Sequence, residues 1–426
     1  MLDIAIVEGV RTPFAKAFGS LAGVSAHELG RIATVALFDR AGVRPDEIDQ
    51  VVIGNGAPPL EAPNPARDIA LMSGIPQDRI AHTVQRNCGS GLEALTTAAQ
   101  ILQLGEARKI VAGGIENMSQ IPLLFNPEAT ELFLRLARSK TWGQRLAGML
   151  RFRPRHFKPL PAVKVGLTDP VSGLMMGETA EVLADDFGIT RREQDEFALR
   201  SHQRAVAAQE RCVLSEEITP IALPGGKELK ADVGPRANQT LEALAKLPPF
   251  FKKDGTVTVG NSCQVTDGAA VALLMPGEAA RAEGRKVLGY LRGYAYAGCD
   301  PRRMGLGPAF ATSKLLQKTG LSLKDVDLIE MNEAFAAQVI ANERAFASDE
   351  FAKKHLGRSE ALGEINPDRL NVNGGAIALG HPVGATGGRL VITLLKELRR
   401  RNMQRGLATL CIGGGQGGAL LLERGQ

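Results

Sequence analysis

Two stretches of this chain read alike. Residues 47–55 (Glu-Ile-Asp-Gln-Val-Val-Ile-Gly-Asn) resemble residues 325–333 (Asp-Val-Asp-Leu-Ile-Glu-Met-Asn-Glu) position by position. The helix–strand–glycine passage 91–114 has a counterpart in 388–415. Such internal likeness predicts a duplicated fold with a pseudo-twofold axis. Within the first half, strand and helix signals alternate. Residues 4–10 read as a strand, and 26–41 as a helix with Ser25 as its N-cap. Residues 51–53 form a short buried strand, and 91–104 a helix with Leu92, Leu95, Ile101 and Leu102 available for one face. Residues 109–114 read as a strand ending in glycines. This βαβ pattern predicts an α/β protein with a mainly parallel sheet covered by helices. Residues 121–249 break the pattern with several prolines and a strong helix at 191–210, and read as an insertion in the first half. That half resumes near 256 with a strand at 270–275. The expected plan is therefore 1–120 and 250–280 for the N-terminal half, 121–249 for an inserted loop domain, and 281–426 for the C-terminal half.

Composition narrows the function classes. Hydrophobic residues at 44% and charged residues at 23% exclude a disordered or coiled-coil chain. Aromatics at 4% are too sparse for base-stacking platforms, so no nucleic-acid partner is expected. The net charge of +5 belongs to one segment. Residues 135–164 hold nine Lys/Arg and no Asp or Glu, leaving 42 basic against 46 acidic residues elsewhere. The segment also contains the only Trp, Trp142, with Leu146, Met149 and Leu150 at helical spacing behind it. A basic helix with one apolar face reads as a peripheral membrane segment. A solvated loop or a docking face for an acidic partner is the alternative. Five cysteines without a CxxC pair or zinc spacing fit reduced thiols in an intracellular compartment and no metal site. The run at 2–7 lacks a charged n-region and cleavage site, so no signal peptide is expected. No apolar stretch reaches the ~18 residues of a membrane span.

Chemistry is expected at three glycine-flanked positions. Cys88, in Gln85-Arg-Asn-Cys-Gly-Ser-Gly91, precedes a helix whose positive end favours a thiolate. His381 lies in Gly380-His-Pro-Val-Gly-Ala-Thr-Gly-Gly388, fixed between Gly and Pro rather than on an apolar helix face. It could stabilise a thiolate and donate to an oxyanion. Cys411, in Cys411-Ile-Gly-Gly-Gly-Gln-Gly417, could move protons if it lies near Cys88. The glycines at 413–418 also suggest a phosphate loop, but that needs a following helix, and an apolar strand-like run follows instead. Condensing enzymes of ketoacyl-synthase type and non-catalytic lipid-transfer relatives are the other readings.

Together with Asn332-Glu-Ala-Phe335, these motifs resemble the signature set of the thiolase family. The likeness extends to Val10-Arg-Thr-Pro13, Asn64-Pro-Ala-Arg67, Gly113-Gly-Ile-Glu-Asn-Met-Ser119, Met176-Gly-Glu-Thr-Ala-Glu181 and Met304-Gly-Leu-Gly-Pro308, and so spans nearly the whole chain. It implies the thiolase fold, duplicated α-β-α-β-α five-layered halves with an inserted loop domain. It implies an acyltransferase, a 3-ketoacyl-CoA thiolase of fatty-acid β-oxidation, with coenzyme A as co-substrate and no permanently bound cofactor. Cys88 would be the nucleophile, His381 its activator and Cys411 the proton donor. Asn332 would support one oxyanion hole. The N–H groups of Cys88 and Gly413 would form the other. Met176, Cys263 and Phe335 would contact CoA, although Cys263 also reads as a small buried residue. The alternative activity is acetyl-CoA C-acetyltransferase, running the condensation to acetoacetyl-CoA.

Within the family, Lys140-Thr-Trp-Gly-Gln-Arg-Leu146, Pro159-Leu-Pro-Ala-Val163, Ser348-Asp-Glu-Phe-Ala352 and His355-Leu-Gly-Arg358 are similar to the thiolase subunit of the trifunctional fatty-acid oxidation complex. The resemblance implies a cytoplasmic homodimer or dimer of dimers. It also implies a hydratase/dehydrogenase partner subunit and a peripheral membrane contact through 135–164.

Overall fold

The computed structural model describes residues 1–425. Its strands are β1 (Ile4–Arg11), β2 (Gln50–Asn55), β3 (Ile80–Val84), β4 (Ile110–Asn117), β5 (Thr266–Pro276), β6 (Gly289–Gly298), β7 (Leu328–Met331), β8 (Arg405–Ile412) and β9 (Gln416–Arg424). They form one sheet in the order β7-β8-β9-β6-β1-β5-β4-β2-β3, with the short strand Ala15–Lys16 added on β5. The main helices are α1 (Ala26–Ala41), α2 (Ser90–Gln103), α3 (Pro127–Ala137), α4 (Trp142–Met149), α5 (Met176–Asp186), α6 (Arg191–Glu210), α7 (Gly307–Thr319), α8 (Ala336–Ala347) and α9 (Thr386–Arg400).

The duplication is visible in this order. Reading outward from the centre gives β1-β5-β4-β2-β3 on one side and β6-β9-β8-β7 on the other. The halves meet where β1 pairs antiparallel with β6, Ile4 opposite Leu291 and Ala5 opposite Tyr290. The matched stretches supply β2 and β7, at equivalent places. The counterpart of β3 is reduced to one bridge between Ile329 and Leu370. The sheet is mixed, not mainly parallel as the βαβ pattern predicted. Only β2–β3, β2–β4 and β7–β8 are parallel among the described strands. The reason is local in one half: the turn after Ile412 is three glycines long, and so short a link joins only antiparallel strands.

Burial on both faces explains why these strands read as apolar runs. On β5, Val271, Leu273 and Met275 enter one core while Ala272 and Leu274 enter another. The first core lies under α1, through Leu29, Ala33 and Leu37. The second is central, where Leu92 and Leu95 of α2 and Leu390 and Leu394 of α9 meet strands of both halves. A third lies under α7 and α8, with Leu407 and Leu421 of the sheet. The layers thus run α-β-α-β-α. At the central layer the backbones touch. A Cβ on Gly114 would lie 1.8 Å from the Gly384 carbonyl oxygen, and one on Gly91 would lie 2.6 Å from it. The glycine-rich stretches are therefore contact surfaces.

Residues 121–249 carry α3 to α6. Helix α6 begins at a capping box of Thr190 and Glu193 and packs on the C-terminal half, where Phe197 joins the third core. The excursion thus leaves from one half and covers the other. It returns to β1 through Arg11, fully buried and paired with Asp232 at 2.6 Å and Glu217 at 2.6 Å. The basic stretch is different: Trp142 and Leu150 are each 78% exposed, so its apolar residues lie open. Among the described residues no helix is long and apolar enough to cross a membrane.

Candidate active site

Cys88 sits in the turn between β3 and α2, one residue before the helix N-cap Gly89. The turn is tight: Gly89 N donates to Arg86 O at 2.8 Å, and Asn87 takes φ 45°, unusual without glycine. The side-chain amide of Asn87 donates to Gly413 O at 2.9 Å, fastening the turn to the glycine hairpin after β8. Burial outweighs the nearby backbone N–H groups of Gly413 and Cys88 itself, the charge of Glu116 adds to it, and the Cys88 thiol is pushed above its usual pKa. The expected resting thiolate at the helix end is thus corrected: Cys88 rests as a thiol and needs a base.

His381 can serve as that base. Its loop is held by backbone donation to Gln264 O at 3.3 Å and Thr266 Oγ1 at 3.2 Å. Gly380 is required here, with φ 103° and no room for a Cβ, which would meet Thr266 Oγ1 at 2.3 Å. His381 Nδ1 lies 2.6 Å from Thr386 Oγ1. That hydroxyl donates its single proton to Pro382 O at 2.9 Å. It can therefore only accept from the ring, so Nδ1 carries the hydrogen and Nε2 the lone pair. Nε2 is buried with no partner. Burial and, secondarily, the Arg389 guanidinium push the imidazole pKa down to about 4.

Cys411 is the penultimate residue of β8, fully buried, just before the hairpin. Burial, then the neighbouring Cys88 and Cys263, push its thiol well up. Asn332 follows β7, and both polar atoms of its amide are buried and unpartnered, a pair of groups waiting for a ligand or water. Cys263 belongs to the segment 261–266 that ties these loops together. Its N–H donates to Ala334 O at 3.0 Å, and Ser262 bridges Phe335. Burial and the proximity of Cys88 push Cys263 up to about 12. Met176 opens α5, with its sulfur 3.4 Å from where a Cβ on Gly413 would stand.

All eight sequence-derived positions are thus linked. Cys88, Cys263 and Cys411 are within electrostatic reach of one another, and Gly413 is fastened to the Cys88 turn through Asn87. Asn332, Phe335 and His381 arrive through their contacts to 261–266 and β8, and Met176 through Gly413. Sequence reasoning missed the supports. Thr386 sets the histidine tautomer. Glu333, next to Asn332, is buried and accepts from Ser201 Oγ at 2.6 Å, Asn371 Nδ2 at 2.8 Å and Ile377 N at 3.2 Å, anchoring α6 to the site. Glu116 joins two further loops. Both acids lie inside quoted motifs, and their only available signal was a carboxylate within an apolar, glycine-rich run. A thiol, a second thiol within its electrostatic reach, a neutral base with a free lone pair on a neighbouring loop, and unpaired amide groups are the parts an acyl-transfer site needs.

The thiolase N-terminal domain model matches residues 4–278 and the C-terminal domain model residues 285–424. The chain belongs to the thiolase family. It is 44% identical to the acetyl-CoA acetyltransferase of Pseudomonas aeruginosa, covering 100% of both chains. It is 42% identical to the 3-ketoacyl-CoA thiolase of Photorhabdus laumondii, over 99% of this chain and 96% of that one. The crystal structure of human mitochondrial 3-ketoacyl-CoA thiolase in complex with CoA superposes with a TM-score of 0.85 at 36% identity, covering 99% of this chain and 98% of the other.

Proposed function

We propose that this chain is a 3-ketoacyl-CoA thiolase, cleaving 3-oxoacyl-CoA with coenzyme A to acetyl-CoA and an acyl-CoA two carbons shorter. The observation that carries this is the neutral His381, with Nε2 free, on loops tied to the half-buried thiol Cys88 and the buried thiol Cys411. His381 Nε2 takes the Cys88 proton, and the sulfur adds to the 3-keto carbon. The resulting oxyanion is held by the N–H groups of Cys88 and Gly413. One such donor is commonly worth about 3–4 kcal/mol in the transition state. The Cα–Cβ bond then breaks, leaving acyl-Cys88 and the enolate of acetyl-CoA. Cys411 protonates the enolate carbon, while His381 and a water on Asn332 hold its oxygen. The Cys411 thiolate next deprotonates the incoming CoA thiol, which takes the acyl group. Cys88 recovers its proton from His381. Met176, Cys263 and Phe335 would line the CoA side.

A second reading, condensation of two acetyl-CoA molecules, follows the same steps backwards and is favoured by the Pseudomonas relative's name. Initial rates on 3-oxoacyl-CoA substrates from C4 to C16 separate the two. Long-chain thiolysis supports the first, and activity confined to C4 supports the second. Cys88→Ala should abolish acyl-enzyme formation. Cys411→Ala should lose orders of magnitude in turnover while still binding thioester; wild-type turnover in it would remove the proton-transfer role.

The domain plan inferred above, a cytoplasmic dimer or dimer of dimers, and a partner subunit bearing hydratase and dehydrogenase activity, are part of the same reading. So is peripheral membrane contact through 135–164, supported by exposed Trp142, Leu146, Met149 and Leu150 beside nine basic residues. Flotation with anionic vesicles should fall on deleting 135–158, and unchanged flotation would refute it.

A further inference from the structure

Glu116, one residue before the end of β4, is fully buried. Its Oε1 accepts from Asn55 Nδ2 at 2.7 Å and Ala57 N at 3.1 Å. Its Oε2 accepts from Gly56 N at 2.9 Å and Gly384 N at 2.8 Å. The donors come from two loops: the exit of β2 and the turn three residues beyond His381. The β2 exit continues toward the nucleophile, since Gln85 Nε2 donates to Gly56 O at 3.3 Å and also reaches Asn87 Oδ1 at 3.3 Å. Four donors converging on one side chain favour the ionised carboxylate, against the burial that pushes its pKa up to about 7. None of the four is a cation. Above about pH 7 the charge is therefore present and not neutralised, and Cys88 lies within its electrostatic reach. The other titratable groups facing Cys88 are the thiols of Cys263 and Cys411, both held protonated by burial. His381, whose side chain is neutral, reaches the site on the loop that Glu116 grips.

We propose that Glu116 is a positioning residue for acyl transfer: its carboxylate locks the His381 loop to the nucleophile's turn, and its negative charge, when ionised, adds to burial in opposing a free Cys88 thiolate until substrate arrives. This rests on Cys88 being the nucleophile. A deprotonated sulfur beside an uncompensated carboxylate is disfavoured, so proton transfer to His381 waits for an acyl group to receive the electron pair.

The test uses the full-length enzyme without CoA substrates. Alkylation of Cys88 by iodoacetamide is followed against pH, read on the Cys88 peptide by mass spectrometry, beside kcat and KM for thiolysis. Glu116→Gln should lower the alkylation midpoint by about one pH unit, speed labelling about tenfold at about pH 8.5, where the carboxylate is ionised, and cut kcat with little change in KM. Glu116→Asp keeps the charge but shortens the reach, so its midpoint should stay near wild type while kcat falls. If Glu116→Gln does not fold, Asn55→Ala removes one donor and favours the protonated acid, shifting the midpoint the same way by less. An unmoved midpoint in whichever of these two variants folds overturns the proposal. Failure of the underlying reading is seen separately, as thiolysis surviving in Cys88→Ala.

Discussion

Thr386 offers the sharpest test of how the site makes its base. Thr386→Val keeps the shape and removes the hydroxyl. Pro382 O loses little, because it also accepts from Ala385 N at 2.9 Å and Thr386 N at 3.0 Å. The whole loss falls on His381 Nδ1, whose acceptor at 2.6 Å disappears in a site with only 6% of the residue exposed. The ring then has two poor choices. It can keep Nδ1–H unpaired, at about 1–3 kcal/mol, or move the hydrogen to Nε2 and cease to be a base there. Either way kcat/KM for thiolysis should drop roughly 5- to 150-fold, following loss of 3-oxoacyl-CoA at saturating CoA. Thr386→Ser restores the acceptor and should stay within about threefold of wild type. Unchanged kcat/KM in the valine variant would refute the tautomer argument, as would a serine variant that falls equally far.

Gly114→Ala should destabilise by more than about 3 kcal/mol, since overpacking here meets the backbone of Gly384 rather than a side chain that can turn aside. A urea midpoint equal to wild type would show that the central layer has more room than described. His202 is 3% exposed, and burial, helped by Arg236, pushes its pKa down to about 4. As pH falls below the unfolded value of 6.5, the unfolded chain binds the proton first, so this residue costs stability progressively, reaching roughly 3 kcal/mol near pH 4. His202→Asn keeps an acceptor for Arg236 N, and its urea midpoint should gain on wild type between pH 6.5 and 4. A constant difference across that range would contradict the assignment.

Local patterns were read well where a single periodicity decided them. The helix expected at 26–41 is α1, capped by Ser25 and stopped by Gly42 at φ 60°. The helix expected at 191–210 is α6. The run after the 413–418 glycines is β9, so a phosphate loop there lacks its helix. Strand direction was not legible, because pairing depends on where a chain returns after a long excursion, and apolar runs carry no sign of it. The thiolate expectation failed for a related reason. The helix end was visible from Gly89 onward, but the burial and the carboxylate that overrule it come from distant segments. The same holds for Thr386, whose part depends on a carbonyl four residues back and a ring five residues back.

The middle layer has a consequence for how the molecule fails. Leu92 and Leu390 share one interior with Ile6 and Leu420, so each repeat completes the other's packing. Neither repeat is self-sufficient as a folding unit. Severing the link near residue 283 should yield two insoluble fragments when each is expressed alone. Mixed during synthesis, they should reassemble into one cooperative particle.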